Sequence, residues 1–241
     1  MRTRFISWAL IAVTSITLVG CAQREPVRFR MRSWGALRDV LHDGRTEGRI
    51  GIATILSDDT VGVGLTAGLH DEITIDGGKV LLASVSNGAP LLRRGDGHEQ
   101  ATLLLASDVS RWDRHSLPVI PNLRALEEEI RRIAQAAGLA PGAHGIPFRV
   151  EGEFGSLSLH VLDGSCPVAH PSGPPPWRAE RVRATGTLVG FYVEGQEGRM
   201  THRGERSHVH ATADTSDQRV SGHVDDVAIE EGATLYLPAR R

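Results

Sequence analysis

Residues 207–224 read SHVHATADTSDQRVSGHV, and the rest of the chain is best read outward from them. In a strand successive side chains alternate between faces, so His208 and His210 point the same way, about 7 Å apart along the backbone. The twelve residues between His210 and His223 are rich in Thr, Asp, Ser and Gly. They predict a hairpin connection that returns a neighbouring strand past the same spot and brings a third imidazole to it. Three neutral nitrogen donors suit zinc (Zn2+) or another divalent transition metal and leave coordination positions for water or substrate, the catalytic pattern rather than the structural one. The plainer alternative is a solvated polar hairpin in a chain that carries eleven histidines.

The N-terminal stretch MRTRFISWALIAVTSITLVGC has two early arginines, an apolar run and Leu18-Val19-Gly20-Cys21 at its end. This predicts a lipoprotein signal peptide over residues 1–20, with Cys21 lipidated and the exported chain held at a membrane, facing the periplasm or cell exterior. About 220 of the 241 residues then remain, enough for a sizeable core. The only other cysteine is Cys166, so a disulfide framework or a cysteine-based metal site within the mature chain is excluded. Formal net charge is −2, and the 27 basic residues, all arginine except Lys79, are scattered, which argues against a nucleic-acid partner.

Along the chain, residues 21–32 read as a tether, followed by a short amphipathic helix through Trp34, Leu37, Val40 and Leu41 with Ser33 as its cap. From Ile50 the runs IGIATIL, VGVGLTAGL, EITIDG and KVLLASV predict a strand meander, and ATLLLAS (101–107) a strand buried on both faces. Asn122 caps a helix whose stripe is Leu123, Leu126, Ile130, Ile133 and Ala137 and which ends at Gly138; Glu127, Glu128 and Glu129 are expected on its solvated face. Two strands are expected around Gly155. Five of the twelve prolines fall in residues 163–180, which predicts a long connection between a sheet-rich part (33–162) and a metal-bearing part (181–241). Within the latter, Gly186–Val193, the histidine hairpin and Ala233–Leu237 are expected strands.

This order of pieces resembles the acetolactate decarboxylases, zinc-type enzymes that convert 2-acetolactate to acetoin. The resemblance rests on Gly186–Phe191 (GTLVGF) with the SHVH and SGHVDD segments, on Gly62–Glu72 (GVGLTAGLHDE), and on Pro147–Phe154 (PFRVEGEF). It implies an α/β fold of strand-rich mixed and antiparallel sheets in partly open barrels with a few short helices. It implies His208, His210 and His223 as metal ligands and Glu72 as the proton-transferring glutamate. Without the resemblance, Glu72 reads as a surface carboxylate at a turn.

The position of the family's substrate-binding arginine falls on His160, which the resemblance makes a catalytic-site residue. Periodicity alone places His160 on the face of Leu157 and Leu159, either lining a pocket or as a bystander. The family's threonine falls on Leu65, with Thr66 one place off, and the second glutamate that the family's C-terminal tail supplies has no expected counterpart before Arg241. Cys166 reads as incidental. His202, Glu205 and Arg206 precede the ligand strand and are candidates to supply the missing polarity. The expected partners are a small 2-hydroxy-3-keto acid, the membrane through the lipid anchor, and a second copy of the chain as a homodimer. The competing function is a membrane-tethered binding or sensing module that keeps the metal and lacks catalysis; a metal-dependent hydrolase comes third.

Overall fold

The computed structural model describes residues 29–140, 145–166 and 168–240. The expected signal peptide, Cys21 and the tether up to residue 28 lie outside the described residues. Among the described residues thirteen strands form two sheets, accompanied by two α-helices.

The first sheet holds β1 (Arg32–Trp34), β2 (Ile50–Gly51), β3 (Thr60–Thr66), β4 (Glu72–Asp76), β5 (Lys79–Ser86), β6 (Ala89–Arg94) and β7 (Gln100–Asp108). They run in the order β1-β7-β3-β4-β5-β6, with β2 paired to β7. Because β7 lies between neighbours and under both layers, seven of its nine residues are buried in an unbroken run, as its continuous apolar sequence requires. Two tight turns build the β4–β5–β6 meander. Gly77-Gly78 and Asn87-Gly88 all have positive φ, the backbone that two-residue hairpins demand.

The second sheet holds β8 (Trp112–Ser116), β9 (Ile146–Val161), β10 (Trp177–Tyr192), β11 (Ser207–Thr215), β12 (Arg219–Ile229) and β13 (Thr234–Pro238), in the order β10-β11-β12-β9-β13-β8. Strand β9 also pairs with β10, so this sheet curls back on itself, while β8 stays at an edge and the barrel is not fully closed. Helix α2 (Leu123–Ala136) packs its stripe of Leu123, Leu126, Ile130 and Ile133 into the core of this sheet beside Phe148, Leu157 and Val224. Asn122 caps it, its side chain accepting the Ala125 N–H at 2.9 Å. A second apolar cluster joins the sheets through Val61, Val63 and Leu105 on one side and Val189, Phe191 and Val193 on the other.

The strand-rich fold is as expected, with differences of local physical origin. The sheets are antiparallel throughout rather than mixed; the one parallel contact among the described residues is an isolated bridge between Glu197 and Thr201. Tight hairpins dominate the connectivity, and these join antiparallel strands only. Residues Ile52–Thr54 form a 3-10 turn where IGIATIL predicted a strand. The first helix, α1, is only Leu37–Leu41, since Gly35 at φ 74° separates it from Trp34, which belongs to β1. The two strands around Gly155 are one strand of 16 residues. Strand β10 begins at Trp177, directly after the last proline of the expected connection.

Candidate metal centre

Register places the site. Across the second sheet His210 on β11 is directly opposite His223 on β12, His223 is opposite His160 on β9, and His160 is opposite Arg178 on β10. Directly opposed residues of an antiparallel pair share a face, so these four side chains form a row across the sheet. His208, two residues before His210, joins them on the same side. Both strands of the histidine hairpin run further than the polar composition suggested, and only Ser216, Asp217 and Gln218 connect them. The Thr215 hydroxyl closes that turn by accepting the N–H groups of Asp217 and Gln218.

His208, His210 and His223 are 3%, 0% and 4% exposed, and one ring nitrogen from each lies within 4.8 Å of the others. Burial, reinforced by the neighbouring rings, pushes His208 down to about 3 and the other two well below the ordinary imidazole value. All three are therefore neutral donors at pH 7. The tautomer of His208 is fixed from behind. A carbonyl only accepts, so Nδ1 of His208, 3.0 Å from the Met200 carbonyl oxygen, carries the hydrogen and leaves Nε2 with its lone pair. Nδ1 of His210 lies 3.2 Å from the Thr74 hydroxyl, and Nε2 of His210 is buried with no hydrogen-bond partner. An orphaned, fully buried imidazole nitrogen is costly unless something accepts its lone pair, and a divalent ion is the acceptor this donor set fits.

Glu72 opens β4 opposite Leu65 and is 3% exposed, not the surface carboxylate that its turn context suggested. Its Oε2 stands 3.5 Å from the orphaned Nε2 of His210, and its Oε1 accepts a 3.4 Å hydrogen bond from the Leu162 N–H. Burial drives its carboxyl up to about 7, against the lowering effect of His160 and the Leu162 N–H. His160 lines the same cavity; its Nδ1 donates to Asp225 Oδ1 at 2.7 Å, and Arg178 Nη1 meets the other oxygen of Asp225 at 2.7 Å.

The cavity has a volume of about 390 Å³. Glu72, His160, His202, Glu205, His208 and His223 line its polar side. The ring of His202 packs edge-on to His223 with centroids 4.8 Å apart. Glu205 is pushed up to about 7, chiefly by burial and then by Glu127 and Asp225. Arg206 does not line this cavity. Leu37, Leu41, Leu65 and Leu162 form an apolar wall together with the buried Cys166. Thr66 is engaged with Asp71, whose N–H it accepts at 2.8 Å. Sequence reasoning missed Arg178 and Asp225. Asp225 stands two residues past His223 and so carries a weak period-two signal; Arg178 carries none.

No protein-family model matches the sequence, and no curated protein does. Solved structures do match. Alpha-acetolactate decarboxylase from Bacillus subtilis strain 168 superposes with a TM-score of 0.66 at 16% identity, over 87% of this chain and 86% of that one. The fold is that of the acetolactate decarboxylases. The enzyme from Bacillus subtilis subspecies spizizenii gives 0.63 at 18% identity, covering 86% of this chain and 85% of that one. A Staphylococcus aureus protein of unknown function, similar to alpha-acetolactate decarboxylase, gives 0.58 at 16%, covering 86% and 84%. On this decarboxylase fold the buried three-histidine cluster lies at the meeting of the two sheets, where β4 of the first brings Glu72 and Thr74 against His210 of the second.

Proposed function

We propose that the chain is a metal-dependent carboxy-lyase that converts 2-acetolactate, or a related 2-hydroxy-3-keto acid, to acetoin and carbon dioxide. The observation that carries this reading is the Glu72 carboxyl, on the wall of the cavity, 3.5 Å from the unpartnered Nε2 of His210 on the acetolactate decarboxylase fold. Loss of carbon dioxide leaves an electron pair on carbon, and one proton must be supplied in each turnover. His208, His210 and His223 would hold a divalent ion, which would supply Lewis acidity for the electron pair released. Glu72 supplies the proton, its carboxyl kept protonated near neutrality by burial. Leu65 and Leu162 screen that carboxyl from water on its apolar side. Zinc analysis of purified tag-free protein, with acetoin release from 2-acetolactate, tests the reading. Stoichiometric metal with acetoin release supports it; full metal loading with no acetoin hands the site to the binding or sensing module.

Location and assembly are proposed on sequence grounds. The Leu18–Cys21 ending of the apolar N-terminal run supports export and lipid anchoring through Cys21. A homodimer is the assembly proposed.

A further inference from the structure

Of the described residues lining the cavity, Arg178 is the only arginine or lysine. It stands opposite His160, which in turn stands opposite His223, so a permanent cation sits two strands away from the metal centre on the same face. Just beyond this row, both strands that flank β9 are irregular. In β12 the pairing steps from Val224↔Leu159 to Asp226↔Ser158, which leaves Asp225 as the extra residue of a bulge. In β10 it steps from Ala179↔Leu159 to Val182↔Leu157, with Arg181 at φ 52° and its N–H donating to Ser158 Oγ at 3.1 Å. The two bulges face the same three residues of β9. Bulges re-aim side chains, and the one in β12 brings Asp225 to His160 and to Arg178, which are paired in regular register.

At that point Asp225 is shared, accepting from His160 Nδ1 and Arg178 Nη1 at 2.7 Å each. Asp225 pins the guanidinium by one nitrogen. A guanidinium offers five N–H donors in a planar fork, so hydrogen-bonding capacity remains for a second carboxylate. The acidic groups of the cavity are Glu72, Glu205 and Asp225, and Arg178 is the one permanently charged basic side chain among the described residues that line it.

We propose that Arg178, positioned by Asp225 against His160, recognises the carboxylate of the substrate. This rests on the decarboxylase reading for the identity of the substrate and extends it to an anion-recognising residue on β10. His160 then orients Asp225 and is not itself the carboxylate clamp.

The test uses zinc-loaded wild type, R178Q and R178K, with calorimetric binding of two unreactive probes. These are 2-hydroxyisobutyrate, a carboxylate with a chelating hydroxyl, and acetoin, which is neutral. R178Q should keep its zinc and its melting temperature and lose roughly 10- to 100-fold in affinity for 2-hydroxyisobutyrate, the range for a hydrogen bond to a charged group. Its affinity for acetoin should change less than about 2-fold, as no charged contact is lost. R178K keeps the charge without the fork and should fall between. With 2-acetolactate the R178Q defect should appear in KM more than in kcat. Undiminished binding of 2-hydroxyisobutyrate by R178Q overturns the proposal. So does equal loss of both probes with zinc retained, or failure of wild type to bind 2-hydroxyisobutyrate at all. Arg178-dependent binding in a wild type that releases no acetoin overturns the decarboxylase reading alone.

Discussion

Glu127 on α2 and Ser207 at the start of β11 are joined through one oxygen: Oε1 of the buried Glu127 accepts the Ser207 hydroxyl at 2.7 Å and the Arg206 N–H at 2.7 Å. The helix thereby fixes the chain one residue before His208. Glu127→Ala should orphan both donors, at roughly 1–3 kcal/mol for each buried group left unsatisfied. The melting temperature should fall by several degrees and zinc affinity should weaken, while Glu127→Gln, which retains an acceptor oxygen, should lose less. Thermal unfolding with a zinc-competition titration measures both, and an unchanged melting temperature in Glu127→Ala would refute the anchoring role.

Thr74 should govern metal affinity from behind. Its hydroxyl is 3.2 Å from Nδ1 of His210 and 3.4 Å from the Ser221 hydroxyl. Groups that hold the far nitrogen of a metal-binding histidine typically contribute about 10- to 100-fold to affinity. Thr74→Val, nearly isosteric, should lower zinc affinity by about 10-fold or more. Equal zinc affinity in the two proteins would mean that His210 is oriented by its backbone alone.

Metal-free protein should become more stable as pH rises from about 4 to about 6.5, the ordinary imidazole pKa. His208 is held at about 3 and His210 and His223 well below 6.5, so the unfolded chain binds more protons than the folded one across that window. Their contribution is present above 6.5 and lost as pH falls. Glu72 and Glu205, both raised to about 7 from 4.5, work in the opposite direction over much of the same range. Three rings stand against two carboxyls, and the rings set the net slope. Melting temperatures in chelator should therefore climb with pH; a fall over the interval would show that the rings are not buried as neutral groups.

Much of the fold was legible because its signals are local. Apolar runs and alternation marked β3, β4, β5 and β7, and Asn122 with Gly138 marked the ends of α2. Strand β6 carried the signal of the Asn87-Gly88 turn, which the expected meander did not use. Glu127 was misread because a run of charges on a helix ordinarily faces water, whereas this one is turned onto the start of β11. The three-histidine cluster was legible because period two holds through Ser207–Thr215 and the hairpin is short. Arg178 and Asp225 were not, since Asp225 is itself a bulge residue and Arg178 lies beyond the register shifts of β10, outside the strand expected at Gly186–Val193. A bulge breaks the count by which sequence assigns faces and partners, so no periodicity in the sequence sets Arg178 against His160.

The Leu18–Cys21 motif leads to the expectation that the mature chain begins at Cys21 and is lipidated. Mass spectrometry of protein extracted from membranes should show an acylated N-terminal cysteine, and Cys21→Ser should remain unprocessed or leave the membrane fraction. A mature chain that begins downstream of Cys21 would exclude the tether.

Glu72→Gln should separate chemistry from stability. As the proton source its loss should lower turnover by about 10²- to 10⁴-fold, with zinc content and 2-hydroxyisobutyrate binding retained. The same change should stabilise the metal-free protein at high pH. The folded pKa of Glu72, about 7, lies above its ordinary 4.5, so its contribution is fully present below 4.5 and is lost as pH rises through 7. Above that point the wild type holds an ionised carboxylate at 3% exposure, which costs on the order of 3 kcal/mol for a shift of this size. Glutamine has the same shape and no charge. The difference in melting temperature between Glu72→Gln and wild type, in chelator, should thus be several degrees more favourable to the variant at pH 8.5 than at pH 5. A variant that loses turnover without this pH-dependent gain would show that Glu72 acts from a solvated position, and a variant that keeps turnover would remove Glu72 as the proton source.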